Sequence, residues 1–331
     1  MDGNRGERVF EYYEEFPPEI RSMIIFSMHP ADRCRFTRCS KLSRREATSS
    51  KNYIHSIKFI VWTRNCMKIS VSHGDLNIHG PHTGYIMGFR RDPRESLMIY
   101  RNHQGQQLWW KPIQPENWYE TTEVVEHAFK NFRELMTLHQ NKVRILSIES
   151  HADEIEMNVD HGITRMNNLK ELVIEGNFDF QQIISKAQRP LKTLKVLRNN
   201  FFENSLEQII GVQENILYEN LKLNNEQFLQ LSASVVHIHI GQMTVMDVVN
   251  FLRSWKNGTV GRKLREVFWK LQNANFDTRQ LFRTLGYDSS LIFRSGATVV
   301  VRHSEDARKS ADVKFINGEL KVFFHGDFDG A

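Results

Sequence analysis

The chain has 331 residues, of which 40% are hydrophobic and 25% charged, with a formal net charge of +5. Those fractions belong to a folded soluble protein rather than a disordered chain, and so small a positive excess does not by itself indicate a nucleic-acid partner. No apolar run approaches the ~18 residues of a membrane helix. Cys34, Cys39 and Cys66 have no CxxC spacing, which suits neither a disulfide framework nor a structural zinc site and fits a reducing compartment. The N-terminal stretch MDGNRGERVFEYYEEF lacks the apolar core of a signal peptide, so the expected location is the cytoplasm, the nucleus or both.

The first predicted elements lie in Phe16–Leu42, FPPEIRSMIIFSMHPADRCRFTRCSKL. Pro18 suits a first helical position, where its missing N–H is no loss. The residue before a proline is pushed out of the α region, so His29 ends this helix and Pro30 opens the next. Ile20, Met23, Ile24, Ile25, Phe26 and Met28 point almost all round the helix axis, and a helix apolar on most faces must be covered on most faces. So short a segment buries little on its own, which implies a partner surface. Arg33, Arg35, Arg38, Lys41, Arg44, Arg45 and Lys51 form the densest basic stretch, either a solvated face or a surface that meets an acidic partner.

From Ile54 to Ile113 the pattern becomes β-rich. Residues 55–62 and 67–71 alternate as strands with one wet face, and 75–78, 96–100 and 107–110 are shorter candidates punctuated by Gly and Pro. Residues 121–140 form a long helix with a stripe of Val124, Val125, Ala128, Phe129, Phe132, Leu135 and Met136. Six segments then share an apolar-x-x-apolar-x-apolar pattern, starting at Val143, Leu169, Leu191, Tyr218, Val235 and Leu264, spaced 26, 22, 27, 17 and 29 residues apart. Leucine-rich repeats run ~20–29 residues, each a short strand with a returning helix or coil; the alternative is a compact α/β sandwich, whose ordinary strand-helix alternation gives a similar pattern. Return helices are expected near 180–187, 205–211, 226–232 and 246–255, and Asn177, Asn199 and Asn224 follow three of the strands. In the tail, 297–302 and 312–324 read as strands, the latter with Asn317-Gly318 as a hairpin turn.

The order Phe16-Pro17-x-Glu19-Ile20, an apolar helix to Met28, Pro30-x-Asp32 and then Cys39-Ser40-Lys41-Leu42 resembles the F-box, the short module that docks onto the Skp adaptor of SCF ubiquitin ligases. Phe16 stands where Leu is commoner, and Cys39 where Val or Cys is usual. A second resemblance covers roughly residues 215 to 270. Leu221-Lys-Leu223-Asn-Asn-Glu-Gln-Phe-Leu229 through Asn250-Phe251-Leu252-Arg-Ser-Trp255-Lys-Asn-Gly258, then Leu264-Arg-Glu-Val267, is similar to the F-box-associated region of the large nematode F-box families, which Glu266 follows only loosely. Together these imply an α+β or α/β chain, with an N-terminal helical F-box (10–54), a β-rich connecting region (55–120) and an irregular leucine-rich-repeat-like strand-helix solenoid (121–331). The resemblance further implies adaptor contacts from Phe16, Pro17, Ile20, Ile24, Ile25, Met28 and Pro30, with Cys39 and Leu42 as secondary candidates.

No catalytic motif is present: there is no GxSxG, no P-loop and no Rossmann glycine fingerprint. His237 and His239 share one strand face but lack a third ligand at a telling distance, which favours partly exposed histidines over a metal site. His151, Asp153, Glu154, Glu156, Asp160 and His161 read as solvated loop residues. The expected protein is a non-enzymatic substrate adaptor without cofactor. Its partners would be a Skp-type adaptor, through it a cullin, and a target protein whose binding residues the sequence leaves unassigned. The alternative is a basic nucleic-acid-binding protein with Phe59, Trp62, Trp109, Trp110 and Trp118 as stacking platforms.

Overall fold

The computed structural model describes residues 12–28, 36, 39–49, 54–73, 83–91, 96–102, 107–112, 123–152, 163–199, 206–219, 223, 225–240, 244–259, 263–271, 277–286, 298–316 and 319–326. A 3-10 turn, Tyr13–Glu15, leads into α1 (Pro18–Ser27), and α2 (Lys41–Ser49) follows. Strand β1 (Ile54–Thr63) then opens an antiparallel meander with β2 (Cys66–His73), β3 (Thr83–Arg91), β4 (Ser96–Asn102) and β5 (Gln107–Pro112). Helix α3 (Glu123–His139) recrosses this meander over β2, β3 and β4.

The chain returns beside β1 as β6 (Ile145–Ser150). It continues through β7 (Glu171–Glu175), β8 (Thr193–Leu197), β9 (Asn215–Tyr218), β10 (Val235–Ile240) and β11 (Glu266–Leu271). Every neighbouring pair from β1 through β6 to β11 is parallel. The return segments contain α4 (Gln181–Ser185), α5 (Leu206–Ile210), α6 (Asn225–Leu229), α7 (Val245–Lys256) and α8 (Thr278–Thr284). Finally β12 (Thr298–Arg302), β13 (Ser310–Ile316) and β14 (Glu319–His325) form an antiparallel unit whose β14 pairs with β11. The result is one mixed sheet of 14 strands, ordered β12, β13, β14, β11, β10, β9, β8, β7, β6, β1, β2, β3, β4, β5.

Alternation at period two sets which face is covered. Phe59, Ile148, Ile174, Val196, Tyr218, Ile238, Trp269 and Leu320 lie side by side in register across eight strands, and all are buried. Two positions back, Ile57, Leu146, Leu172, Leu194, Ile216, Val236, Val267 and Val322 make a second buried row. Because the parallel strands follow in unbroken sequence order and crossovers are right-handed, their return segments fall on one face. Helix α3 seats Phe132 against Phe59 with ring centroids 4.9 Å apart, and Phe129 meets the same ring edge-on at 5.2 Å. Helix α7 buries Val245, Val248, Phe251, Leu252 and Trp255, with Phe251 edge-on to Trp269 at 5.3 Å. Its first turn is closed by a reciprocal cap, in which the Thr244 hydroxyl accepts from Asp247 N–H and the Asp247 carboxylate accepts from Thr244 N–H. Gly258, at φ +71°, lies beyond its C-cap in the left-handed conformation that glycine adopts without strain.

Two residues hold the turns after β7 and β8. Gly176 has φ +116°, and a Cβ there would stand 2.3 Å from the Ser150 carbonyl oxygen, so only glycine lets the chain pass the end of β6. Asn199 is buried and its Nδ2 donates to the Gly176 carbonyl at 2.6 Å and the Phe178 carbonyl at 2.8 Å. Asn177 is exposed, and Asn224 lies outside the described residues.

The architecture corrects the expected N-terminal helical F-box followed by a leucine-rich-repeat-like strand-helix solenoid. The molecule is dominated by a single mixed sheet, with β1 to β5 continuing the strands of the 121–331 region and an antiparallel unit closing its other end. Three of the return helices, α4 to α6, are only 5 residues long. The apolar-x-x-apolar-x-apolar pattern is satisfied by any parallel strand buried on one face, so it does not specify a repeat solenoid. One segment is also shifted: Tyr218 ends β9 instead of opening a strand at 218–223. Strand β3 and helix α8 had no clear sequence signal, while the proposed strand at 75–78 and the Asn317-Gly318 turn lie outside the described residues. No helix among the described residues is long and apolar enough to cross a membrane.

Asn199→Ala leaves the Gly176 and Phe178 carbonyls without this donor, and is expected to lower stability by about 1–3 kcal/mol. Denaturant unfolding followed by tryptophan fluorescence measures the loss.

Candidate docking surfaces

The N-terminal helices carry their own small core, separate from that of the sheet: Tyr13, Ile25, Phe36 and Ala47, with Ile24 and Met28 packed against it. Tyr13 and Phe36 meet edge to face at 4.7 Å. A polar clasp crosses the same junction. The Tyr13 hydroxyl donates to Glu46 Oε2 at 2.6 Å, and Arg21 Nε donates to Glu46 Oε1 at 2.8 Å. Arg21 Nη1 also donates to the Glu14 and Phe16 carbonyls, tying the 3-10 turn to α1. Burial, and then the bond to Glu46, pushes the Tyr13 hydroxyl well above the usual phenol range, so it remains a donor at neutral pH. At the start of α2, Ser40 and Ser43 cap reciprocally: each backbone N–H donates to the other's hydroxyl, at 2.8 and 3.0 Å.

With the core and clasp facing inward, one edge of α1 is left apolar and exposed. Met23 is 67% accessible, and Phe16 and Ile20 are each 41% accessible. Ile20 and Met23 lie one turn apart on α1, with exposed Phe16 and the N-cap Pro17 immediately before the helix. Of the residues that the F-box resemblance implies, Phe16, Pro17 and Ile20 are exposed at the surface. Ile24, Met28 and Leu42 are half-buried, and Cys39 is exposed. Ile25 is only 1% accessible, so its place is the module's own core and not a docking surface. Pro30 lies outside the described residues. Met23 is the addition: its apolar character is plain in sequence, but only the direction of the core shows that its side of the helix faces outward.

The sheet offers a second surface on the face opposite the buried rows. There His237, Phe268 and Phe323 adjoin, with centroids 4.2 Å apart for the first pair and 5.5 Å for the second. Lys321 Nζ lies 4.9 Å from the centre of the Phe268 ring, and Lys314 Nζ lies 5.5 Å from that of Phe323, a cation-over-ring arrangement. His237 Nε2 is 2.8 Å from Glu266 Oε1, and Lys58 pairs with Glu149 at 2.6 Å. Such a half-apolar, half-charged face suits protein contact. Among the described residues no group of three or more His, Cys, Asp and Glu is placed to hold a metal ion. His151 Nδ1 lies 2.8 Å from Arg198 Nη2; Asp153, Glu154, Glu156, Asp160 and His161 are outside the described residues, as is the His239 side chain.

Of the aromatic stacking platforms expected for a nucleic-acid partner, the described side chains are those of Phe59 and Trp62. Phe59 is fully buried beneath α3, whereas Trp62 is exposed, and Trp118 and the side chains of Trp109 and Trp110 lie outside the described residues. The chain matches no protein-family model, no curated protein and no solved structure.

Removing the shared acceptor of the clasp by Glu46→Ala is expected to destabilise the helical module by about 1–3 kcal/mol. Amide hydrogen exchange should then rise across residues 13–49 and stay unchanged in β6 to β11.

Proposed function

We propose that this chain is the substrate-recognition subunit of an SCF-type, cullin-RING ubiquitin ligase. It docks to a Skp-type adaptor through the Phe16–Leu42 segment and holds a target protein on the sheet domain. The observation that carries the reading is the exposure of the apolar residues Phe16, Ile20 and Met23 at and just before the start of α1, on a module whose own core is filled by Tyr13, Ile25, Phe36 and Ala47. Burying about three large apolar side chains against a partner is energetically favourable, whereas leaving them in water serves no folding purpose. The order of residues that resembles the F-box supplies the chemistry of that partner. Ubiquitin transfer belongs to other subunits; the contribution of this chain is to raise the local concentration of a target beside them.

Because Ile20 and Met23 are exposed, charging them should leave the module folded. The Ile20→Asp, Met23→Asp double variant is expected to keep its thermal midpoint within about 2 °C. It should also lose at least tenfold in binding to a purified Skp-type adaptor, as for two central apolar anchors costing about 1–4 kcal/mol each. Undiminished adaptor binding by the folded double variant would overturn the reading.

A further inference from the structure

A cleft of about 600 Å³ opens between the C-terminal ends of α7 and α8 and the strand β12. That volume falls within the roughly 300–1,000 Å³ of sites that take small organic molecules. Two exposed cations in the last turn of α7, Arg253 and Lys256, line it together with Arg302. One turn apart on the helix, the two α7 cations stand on the same side. Among the described residues no Asp or Glu lines the cleft. Its apolar lining includes Leu285, which is half-buried, and Val300, which is 44% accessible.

Cations near a helix C-terminus are commonplace, because they satisfy the last carbonyls and complement the dipole. At the end of α7 other groups already fill that role. The Arg253 carbonyl accepts from Asn257 N–H at 3.0 Å, and the Trp255 carbonyl accepts from Gly258 N–H at 2.9 Å. The Ser254 carbonyl accepts from the N–H and the hydroxyl of Thr259, at 3.0 and 2.8 Å. The Lys256 carbonyl accepts from the N–H and the hydroxyl of Ser304, at 3.0 and 2.7 Å. Arg253 itself reaches across to α8, where its Nη2 donates to the Thr284 carbonyl at 3.5 Å. Among the described residues neither Arg253, Lys256 nor Arg302 has a carboxylate in ion-pair contact.

The walls are also fixed to one another. Besides the Ser304 bonds, Trp255 packs edge-on against His303 with ring centroids 5.4 Å apart. A ligand therefore meets a formed cleft and has little of it to order.

Unpaired positive charge beside an apolar wall complements an anion that carries an apolar body. An inorganic anion would leave Leu285 and Val300 wet, and a neutral apolar molecule would desolvate the cations without pairing them. A carboxylate on a short chain meets both demands. Its two oxygens can accept from a guanidinium and an ammonium in charge-assisted bonds.

We infer that this cleft binds an organic carboxylate with a short apolar chain. The carboxylate sits between Arg253 and Lys256, and the chain lies along Leu285 and Val300. The site is separate from the Phe16, Ile20 and Met23 surface and stands independently of the reading of the chain as a ligase subunit.

The test titrates the full chain with octanoate, acetate, octanol and octylammonium, each below any micelle-forming concentration, read by isothermal titration calorimetry. Octanoate is expected to bind, and the other three should bind at least tenfold more weakly, each lacking either the charge or the chain. Backbone amide shifts of the isotope-labelled chain should move at residues 252–256, 284–286 and 300–303. Arg253→Gln and Lys256→Gln should each weaken octanoate about tenfold, as for the loss of one charge-assisted hydrogen bond. Both side chains are exposed, so the thermal midpoint should not move. The Arg253→Glu, Lys256→Glu double variant should prefer octylammonium to octanoate, a reversal that a folding defect does not produce. Acetate or octanol binding as well as octanoate would overturn the inference. So would octanoate binding unchanged in both glutamine variants, or amide shifts centred on Phe16, Ile20 and Met23 instead of the cleft.

Discussion

The rest of the molecule depends on one constraint, the strict alternation that puts two apolar rows in register across the sheet. Ile57 and Phe59 on β1 stand level with Leu146 and Ile148 on β6, and the same step repeats through Leu172 and Ile174 to Val267 and Trp269 on β11. Slipping any strand by one residue would turn its apolar set to the open face and bring charged residues such as Glu149, Lys195 or Lys270 into the core. Each buried Val, Leu or Ile in these rows contributes about 1.5–3 kcal/mol relative to exposure, so the register is heavily specified. The rows do not stop where the parallel strands stop: Val322 and Leu320 on β14 continue them in antiparallel pairing.

Among the described residues the buried rows all lie on one face of the sheet. A sheet with helices on both sides would have no broad surface to offer. Here His237, Phe268 and Phe323 show their rings beside Lys321 and Lys314. At the end of the sheet the C-terminal ends of α7 and α8 lie beside β12, and a cleft between them is lined by Leu252, Arg253, Lys256, Val301 and Arg302. Its rigidity has a specific source: Trp255 wedges under His303 and Phe324, and the carbonyl at the end of α7 is held by Ser304.

The helical module is built differently. Its core is only a few side chains, too few to be strongly stabilising, and a clasp of Tyr13, Arg21 and Glu46 supplements it. The clasp fixes the rotation of α1 about its axis. That rotation buries Ile25 and exposes Ile20 and Met23, so a polar contact on the inner side decides which apolar residues are presented outside.

Much of this was legible in the chain. The period-two pattern gave β1, β2, β6, β7, β8 and β10 to within about two residues, and the helical stripe of 121–140 gave α3 with its buried Phe129 and Phe132. Pro18 marked the start of α1, and the apolar character of its helix was plain. The sequence could not say that the strands of 54–112 and of the tail join the strands of 145–271, since pairing partners lie far apart along the chain and alternation is the same whichever neighbour a strand finds. That is why a repeat solenoid was expected where a mixed sheet stands. It could not separate Ile25 from Ile20 and Met23 either, because all three are equally apolar and only the position of Tyr13, Phe36 and Ala47 distinguishes inside from outside. Arg253, Lys256 and Arg302 are separated along the chain by up to 49 residues, and no local pattern joins them. Residue type and local period were determined by the sequence alone; which residues share a surface was decided by long-range strand pairing and helix packing, which carry no signature in any single window of the chain.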